Sequence, residues 1–562
     1  MALAQQSPDV GRELRQQQQR EEFRKLPERI PEEEKKPAVK KPTGDSEATL
    51  LVKGFNFTGD MGPFGSEQLI ALISEFIGRD ATLAELNEAA FRIKEFYKSH
   101  GYILAQAFVP PQDVTDGIVT IQIRIGRLDG ENGVDINGTD LRLDPDVAIK
   151  RFTGAQKPGE PLVEKNMERG VLMLADLPGI NTSANLEPGS KPGTARIVLD
   201  VTEGPLINPR VNIDNGGGRL TGHYRWEAGV DINNISGRGD QISASFMQSQ
   251  REGKFEYLNL RASHPVGYSG AKVEVSGNYL TYGAGKEFAN LKVKGLAYNV
   301  GASASYPIVR NRKDNVVAYG GFDYKMLEDK SSGSLTNHRV LNIASAGVVA
   351  SRADKLLGGG FTQVNLVAAL GDLDLSGNKS SYDSDQGSSG AKTHGDFSKV
   401  NFSVRRIQRG TEKFYVIADF SGQYAPGNLS SSEKFQLGGS SGVRAYPGGE
   451  GSGDLGVRAS LEGRYVAMSG TKLGDVRLIG FYDWGRIQQH AKASNLSLDA
   501  PNRYSLSGYG LGVNVGRPGE FDFNLTWARR IGSNPGAGVS TGKDSDGSKV
   551  NNRFWASASY HF

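Results

Sequence analysis

From Leu206 to the last residue, Phe562, apolar and polar positions alternate in sixteen segments separated by turns and loops. Tyr224, Trp226, Ala228, Val230 and Ile232 fall on one side of a two-residue repeat; Arg225, Glu227 and Asp231 fall on the other. Phe521, Phe523, Leu525 and Trp527 alternate in the same way with Asp522, Asn524 and Thr526. Phe554, Ala556, Ala558, Tyr560 and Phe562 end the chain with that period. Successive side chains of a strand point to opposite faces, so each segment carries one apolar and one polar side. The segments run to about 10–15 residues, longer than the usual strands of a soluble sandwich. Their connections alternate in length. Short turns include 234–238, 267–270, 310–314, 355–358, 410–413 and 517–519, and long ones include 282–294, 375–395, 426–453, 488–502 and 532–551.

An even number of antiparallel strands with one smooth and one rough end predicts a closed barrel, its apolar face toward lipid and its polar face toward a wet lumen. Closure leaves no unpaired sheet edge in hydrocarbon. No apolar run approaches the ~18 residues of a spanning helix. Both ends of the array fall on its short-turn side, which places residues 1–205 in the periplasm.

Two compact units precede the barrel. In residues 48–129, Thr49 to Phe57 alternates as a strand. Leu69, Leu72, Ile73 and Phe76 then fall at helical spacing, as do Leu83, Leu86, Ala90, Ile93 and Phe96. Thr82 and Glu85 form a capping box ahead of the second helix. Strands over Ile103–Val109 and Gly117–Ile125 complete a β-α-α-β-β order. Residues 130–205 repeat it, with a strand from Val134 to Ile136, helices over Asp144–Phe152 and Leu162–Leu174, and closing strands Thr182–Glu187 and Thr194–Thr202. The repeat has a period of about 80 residues.

Residues 1–47 are polar. Helix formers fill Gln5 to Leu26, with Ser7 as a candidate cap and Pro8 at the first position. Few of these positions are apolar, so an isolated helix would be marginal in water. The segment reads either as a loose tail or as a detachable helix (residues 1–30) that needs another surface, such as a pore interior. Pro27, Pro31, Pro37 and Pro42 punctuate a charged run, and an extended linker is predicted over 31–47. Met1 to Gln6 lacks the apolar core of a secretory leader, as expected where a leader has been removed.

Composition narrows the chemistry. A net charge of +3 over 562 residues gives no reason to expect nucleic acid. The absence of cysteine removes disulfides and thiolate metal sites. The seven histidines are scattered without metal-ligand spacing, and no GxxxxGK[ST] phosphate loop is present. Neither a cofactor nor an enzymatic activity is expected.

The sixth long connection is the least like a surface loop. Within 426–453, a glycine-rich stretch surrounds Val443, Arg444, Ala445, Tyr446 and Pro447. Two strands further on, the run Phe481-Tyr482-Asp483-Trp484-Gly485 puts Asp483 on the parity of Arg477 and opposite to Leu478 and Trp484, hence toward the lumen. Spacing alone leaves two readings: a solvated arginine with an unrelated wall carboxylate, or a loop folded inward and fastened by a bidentate ion pair.

The Val443–Pro447 motif, the Phe481–Gly485 segment, the paired β-α-α-β-β units and the terminal phenylalanine together resemble the two-partner secretion transporters (TpsB), within the superfamily of the barrel-assembly proteins. The resemblance covers essentially the whole chain. It implies two POTRA domains, a 16-stranded barrel, an N-terminal plug helix on a linker, and a sixth loop inserted in the lumen with Arg444 on Asp483. It also implies that Phe481 and Gly485 form a barrel-wall motif, with Tyr560 and Phe562 the C-terminal signal for the barrel-assembly machinery. The family's loop usually carries glycine where Ala445 stands. The implied function is export of one large β-helical exoprotein, bound first by the POTRA domains, without ATP, by a monomer embedded in outer-membrane lipid. A lumen lined by Arg225, Glu227, Asp231, Arg458, Glu462 and Arg464 would offer an unfolded chain few apolar surfaces. The rival expectation is a barrel-assembly insertase, which usually carries more POTRA units and no plug.

Overall fold

A computed structural model describes residues 8–27, 48–114, 116–130, 133–250, 253–496, 498 and 500–562. The expected linker over 31–47 and the expected cap Ser7 lie outside these residues. Helix α1 (Val10–Arg24) begins later than its helix-forming composition suggests, because Asp9 takes the cap: its carboxylate accepts the Arg12 amide at 3.0 Å. An extended Asp is among the strongest helix starters.

The first β-α-α-β-β unit holds α2 (Ser66–Ile73) and α3 (Leu83–Ser99) against a sheet whose central strand is Ile118–Arg124. Leu69, Ile73, Leu86 and Ile93 bury against Val119, Ile121 and Ile123. Thr82 and Glu85 exchange cap bonds: the Thr82 hydroxyl accepts the Glu85 amide at 3.3 Å, and the Glu85 carboxylate accepts the Thr82 amide at 2.8 Å. The strand expected over Thr49–Phe57 divides in two. Thr49–Leu51 pairs with Asp80–Thr82, whereas Gly54–Gly59 pairs in parallel with Ile118–Arg124. Between them Val52 bonds Arg79 and Gly78, and Lys53 bonds Gly117, so the backbone changes partners there. The strand expected over Ile103–Val109 shrinks to Gln106–Phe108, because a turn closes from Ala105 to Tyr102 and Pro110 has no N–H to donate.

The second unit packs α4 (Pro145–Ala155) and α5 (Glu164–Ala175) over strands Ile180–Pro188 and Thr194–Glu203. Phe152 and Leu174 bury against Ile197, Leu199 and Val201. Gly170 permits this contact: a Cβ there would stand 2.7 Å from the Phe152 ring. The unit seats on the barrel's short turns. Arg310 holds the Asp176 carboxylate through Nε at 2.8 Å and Nη2 at 2.6 Å, the Arg312 amide donates to Glu168 at 2.8 Å, and Arg169 donates to the Pro307 carbonyl at 3.0 Å.

Sixteen antiparallel strands form the closed barrel. The first, Ile207–Asp214, meets the last, Asn552–His561, from Arg210 opposite His561 to Asp214 opposite Ser557. Trp226, Leu260, Val275, Leu370, Leu511 and Phe554 are exposed on the outer face, whereas Arg225 and Glu227 are buried inside. No helix among the described residues is long and apolar enough to cross a membrane, which says nothing against a crossing by the barrel strands. They span 8 residues in Ile207–Asp214 to 21 in Ser334–Asp354, a wider range than expected. A tilted strand needs only ~9–11 residues to cross, so the long ones stand clear of the bilayer. The alternation of long and short connections breaks down most sharply at one hairpin. Strands Asp314–Ser331 and Ser334–Asp354 join on the rough side through a two-residue hairpin at Ser332 and Gly333, both at positive φ.

Candidate functional site in the barrel lumen

Residues 425–454 connect the eleventh strand, Phe414–Tyr424, to the twelfth, Leu455–Thr471, and fold inward. The two limbs pair through Phe435–Gln436 and Ser452–Gly453. The tip is closed by its own backbone. Val443 donates to the Leu437 carbonyl at 2.7 Å, Tyr446 to Val443 at 3.1 Å, Gly439 to Tyr446 at 3.1 Å, and Glu450 to Pro447 at 3.2 Å. Val443, Ala445, Tyr446 and Pro447 are buried.

Arg444 points at the wall. Its Nε donates to Asp483 Oδ2 at 2.9 Å and its Nη2 to Oδ1 at 2.8 Å, while its own amide reaches Oδ2 at 3.1 Å. Nη1 meets Glu462 Oε2 at 2.7 Å, and Nη2 also meets the Ser460 hydroxyl at 3.2 Å. The Phe481 ring lies under the guanidinium, 3.3 Å from its central carbon to the ring centroid. The Trp555 indole donates to the Arg444 carbonyl at 2.8 Å, so the last barrel strand also grips the tip. Asp483 is fully buried. A charge pair out of water is tolerated only where geometry is good and the remaining donors and acceptors are filled, as here. Burial opposes the charge on Arg444, but Asp483 and Glu462 outweigh it and hold its pKa above the usual guanidinium value.

Glycines on the wall let the tip approach. A Cβ on Gly485 would lie 2.6 Å from Leu437, and one on Gly508 would lie 2.5 Å from the Ala445 methyl. Tyr446 stacks against Arg530 at 4.9 Å. Tyr560 and Phe562 stand apart from this site. Both are exposed on the outer face with ring centroids 4.8 Å apart, and the Phe562 amide donates to Pro209 on the first strand at 3.1 Å.

The alternation of the strand puts Glu462 in the lumen without joining it to Arg444, and gives no role to Ser460 or Trp555. The missing information was register: Ser460 lies opposite Asp483, and Glu462 opposite Phe481, in the pairing of neighbouring strands.

Helix α1 occupies the same lumen. Val10 and Leu14 bury among Leu220, Phe255, Leu280, Tyr282 and Phe288 toward the rough end. Further down its contacts become ionic. Arg20 pairs with Asp214, Arg24 Nη1 meets Glu227 Oε2 at 2.9 Å, and the Tyr257 hydroxyl donates to Glu21 at 2.8 Å. Arg405 bonds the Pro27 carbonyl at 3.0 Å where the helix ends. A cavity of about 530 Å³ remains beside it, lined by Arg24, Glu227, Arg405, Arg444, Arg458 and Arg464 among others.

The comparisons with known proteins agree with this architecture. The family model described as haemolysin secretion/activation protein ShlB/FhaC/HecB matches residues 193–515, and the model of the ShlB-type POTRA domain matches residues 50–126. The heme/hemopexin transporter protein HuxB of Haemophilus influenzae (strain 86-028NP) is 25% identical over 480 residues, 84% of this chain and 81% of its own length. The outer membrane transporter CdiB of Dickeya dadantii is 25% identical over 455 residues, 80% of this chain and 78% of its own. The solved structure of CdiB from Escherichia coli superposes with a TM-score of 0.78 at 20% identity, covering 100% of both chains. An outer-membrane barrel with a POTRA domain on its periplasmic side and a family match over more than half its length, this chain belongs to the ShlB/FhaC/HecB family of two-partner secretion transporters.

Proposed function

We propose that the chain exports one large, mostly β-helical exoprotein, entering from the periplasm unfolded and folding at the cell surface. Folding of the cargo outside supplies the drive; the chain has no phosphate-binding loop of the Walker type. Residues 48–129 and 130–205 act as two POTRA docking domains. Strand Ile180–Pro188 lies at the edge of its sheet, as does Gln106–Phe108, and such edges add an extended segment through main-chain hydrogen bonds. The single observation that carries the reading is α1 lying inside the barrel, held by apolar and ionic side-chain contacts rather than by a shared sheet. It is a plug that leaves when cargo engages.

In this reading Arg444 and Asp483 fasten the inserted loop, Phe481 and Gly485 shape its seat on the wall, and Tyr560 with Phe562 direct assembly by the barrel-insertion machinery. The working unit is a monomer. Co-expression with a large exoprotein gene from the same locus tests the proposal. The exoprotein should reach the medium only when the transporter is present, and equal release without the transporter contradicts it.

A further inference from the structure

The descending limb of the inserted loop carries a second ionic fastening, away from the Arg444 tip. Glu433 ends the single-turn helix Ser431–Glu433. Its Oε1 accepts Lys325 Nζ at 2.8 Å and its Oε2 accepts Lys399 Nζ at 2.7 Å. Its carbonyl accepts Gln423 Nε2 at 3.0 Å and Lys399 Nζ at 3.2 Å. All four residues are buried. Two ammonium groups from separate strands, the seventh and the tenth, thus converge on one carboxylate, an arrangement that is costly to desolvate and adds little stability over an apolar packing.

The neighbours of this turn suggest what it is for. Two residues before Glu433, the Ser431 hydroxyl donates to Asp9, the residue that caps α1. Arg339 donates to the same hydroxyl, meets Asp9 at 3.0 Å and meets Asp329 at 2.6 Å; Asp329 in turn accepts the Val10 amide at 3.0 Å. A Cβ on Gly11 would stand 2.6 Å from the Ser431 hydroxyl and 2.9 Å from the Ser432 nitrogen. Gln436 donates to the Arg12 carbonyl at 3.1 Å. The N-terminus of α1 therefore rests directly on this turn.

We infer that Glu433 is a positioning residue for plug retention: clamped by Lys325 and Lys399, it holds the Ser431–Glu433 turn as the seat of the α1 N-terminus. The plug is then released by movement of this limb, while the Arg444 fastening at the tip stays closed. The inference rests on the reading of α1 as a removable plug. Glutamine at 433 keeps the shape but leaves the two lysines without a counter-charge, and the seat shifts.

Planar-bilayer conductance of the full chain tests this, with folding of each variant checked by heat-modifiable gel migration. The chain has no cysteine, so a single nitroxide at Gln19→Cys reports the position of α1 directly. Deletion of residues 1–30 sets the unplugged ceiling. Glu433→Gln should raise the open fraction about tenfold, or to that ceiling, and mobilise the nitroxide. Glu433→Asp, which keeps the charge, should restore much of the closure. Ser431→Ala, which leaves the Lys325–Glu433–Lys399 clamp untouched and removes only the hydroxyl between Asp9 and Arg339, should raise conductance less. Glu433→Gln on the deletion background should add nothing. If the deletion opens the barrel but Glu433→Gln and Ser431→Ala do not, the inference falls and the plug stands. If Glu433→Gln adds conductance without α1, the residue acts on the barrel wall and the inference also falls. If the deletion itself changes nothing, both the plug and its seat are overturned.

Discussion

The Arg444 amide and guanidinium both close on a single carboxylate, that of Asp483, with the amide at 3.1 Å, Nε at 2.9 Å and Nη2 at 2.8 Å. One acidic side chain thereby fixes both the backbone and the side chain of the loop tip. Asp483→Asn keeps the shape but removes the charge, and breaking a buried pair from one side costs ~3–5 kcal/mol. Export should drop by more than tenfold while the barrel still migrates as folded on unheated gels. Arg444→Lys should fare little better, because an ammonium cannot make the two parallel bonds. Quantitative blotting of exoprotein in the medium measures both.

Ala445 presses against Gly508 on the fourteenth strand, Arg503–Arg517. Gly508→Val should push the tip from the wall, lowering export and the thermal stability of the detergent-solubilised barrel by about 1–3 kcal/mol, the usual cost of overpacking. Ala445→Gly, which only frees space, should secrete at the parental level.

Arg24 meets Glu227 at 2.9 Å near the end of α1. Glu227→Lys places like charges there and leaves Arg24 unpaired. Bilayer conductance should rise, and the rise should shrink at 1 M salt, where the screening length falls to ~3 Å. Unchanged conductance at low salt would show that this pair does not retain the helix.

The bidentate bond from Arg310 to Asp176 joins a periplasmic turn to the second β-α-α-β-β unit. Arg310→Glu should loosen that unit and reduce export, with conductance unaffected because the lumen is untouched. Solution scattering of the detergent complex should show a wider range of orientations.

Much of this fold was readable from alternation alone. The sixteen strands, the position of the inserted loop between the eleventh and twelfth, and the inward parity of Asp483 follow from a repeat of two, which needs no knowledge of neighbours. Relations between strands were not readable. Glu462 and Ser460 reach Arg444 only because the pairing sets them beside Phe481 and Asp483, and Trp555 reaches it only because the barrel closes. Local rules failed where tertiary bonds compete with them: the backbone from Val52 to Lys53 leaves one sheet for another, and the hairpin at Ser332 breaks the rhythm of loops. The Glu433 clamp joins three segments distant in sequence, and no spacing pattern announces such a meeting.

On this mechanism the exported chain passes through the lumen that α1 vacates. A photo-crosslinking residue at Ser441, which lines the lumen cavity, compared with one at Leu461, exposed on the outer face, tests it directly during export of a stalled exoprotein. Exoprotein adducts should form at Ser441 and not at Leu461. Adducts at Leu461 without any at Ser441 would contradict passage through the lumen.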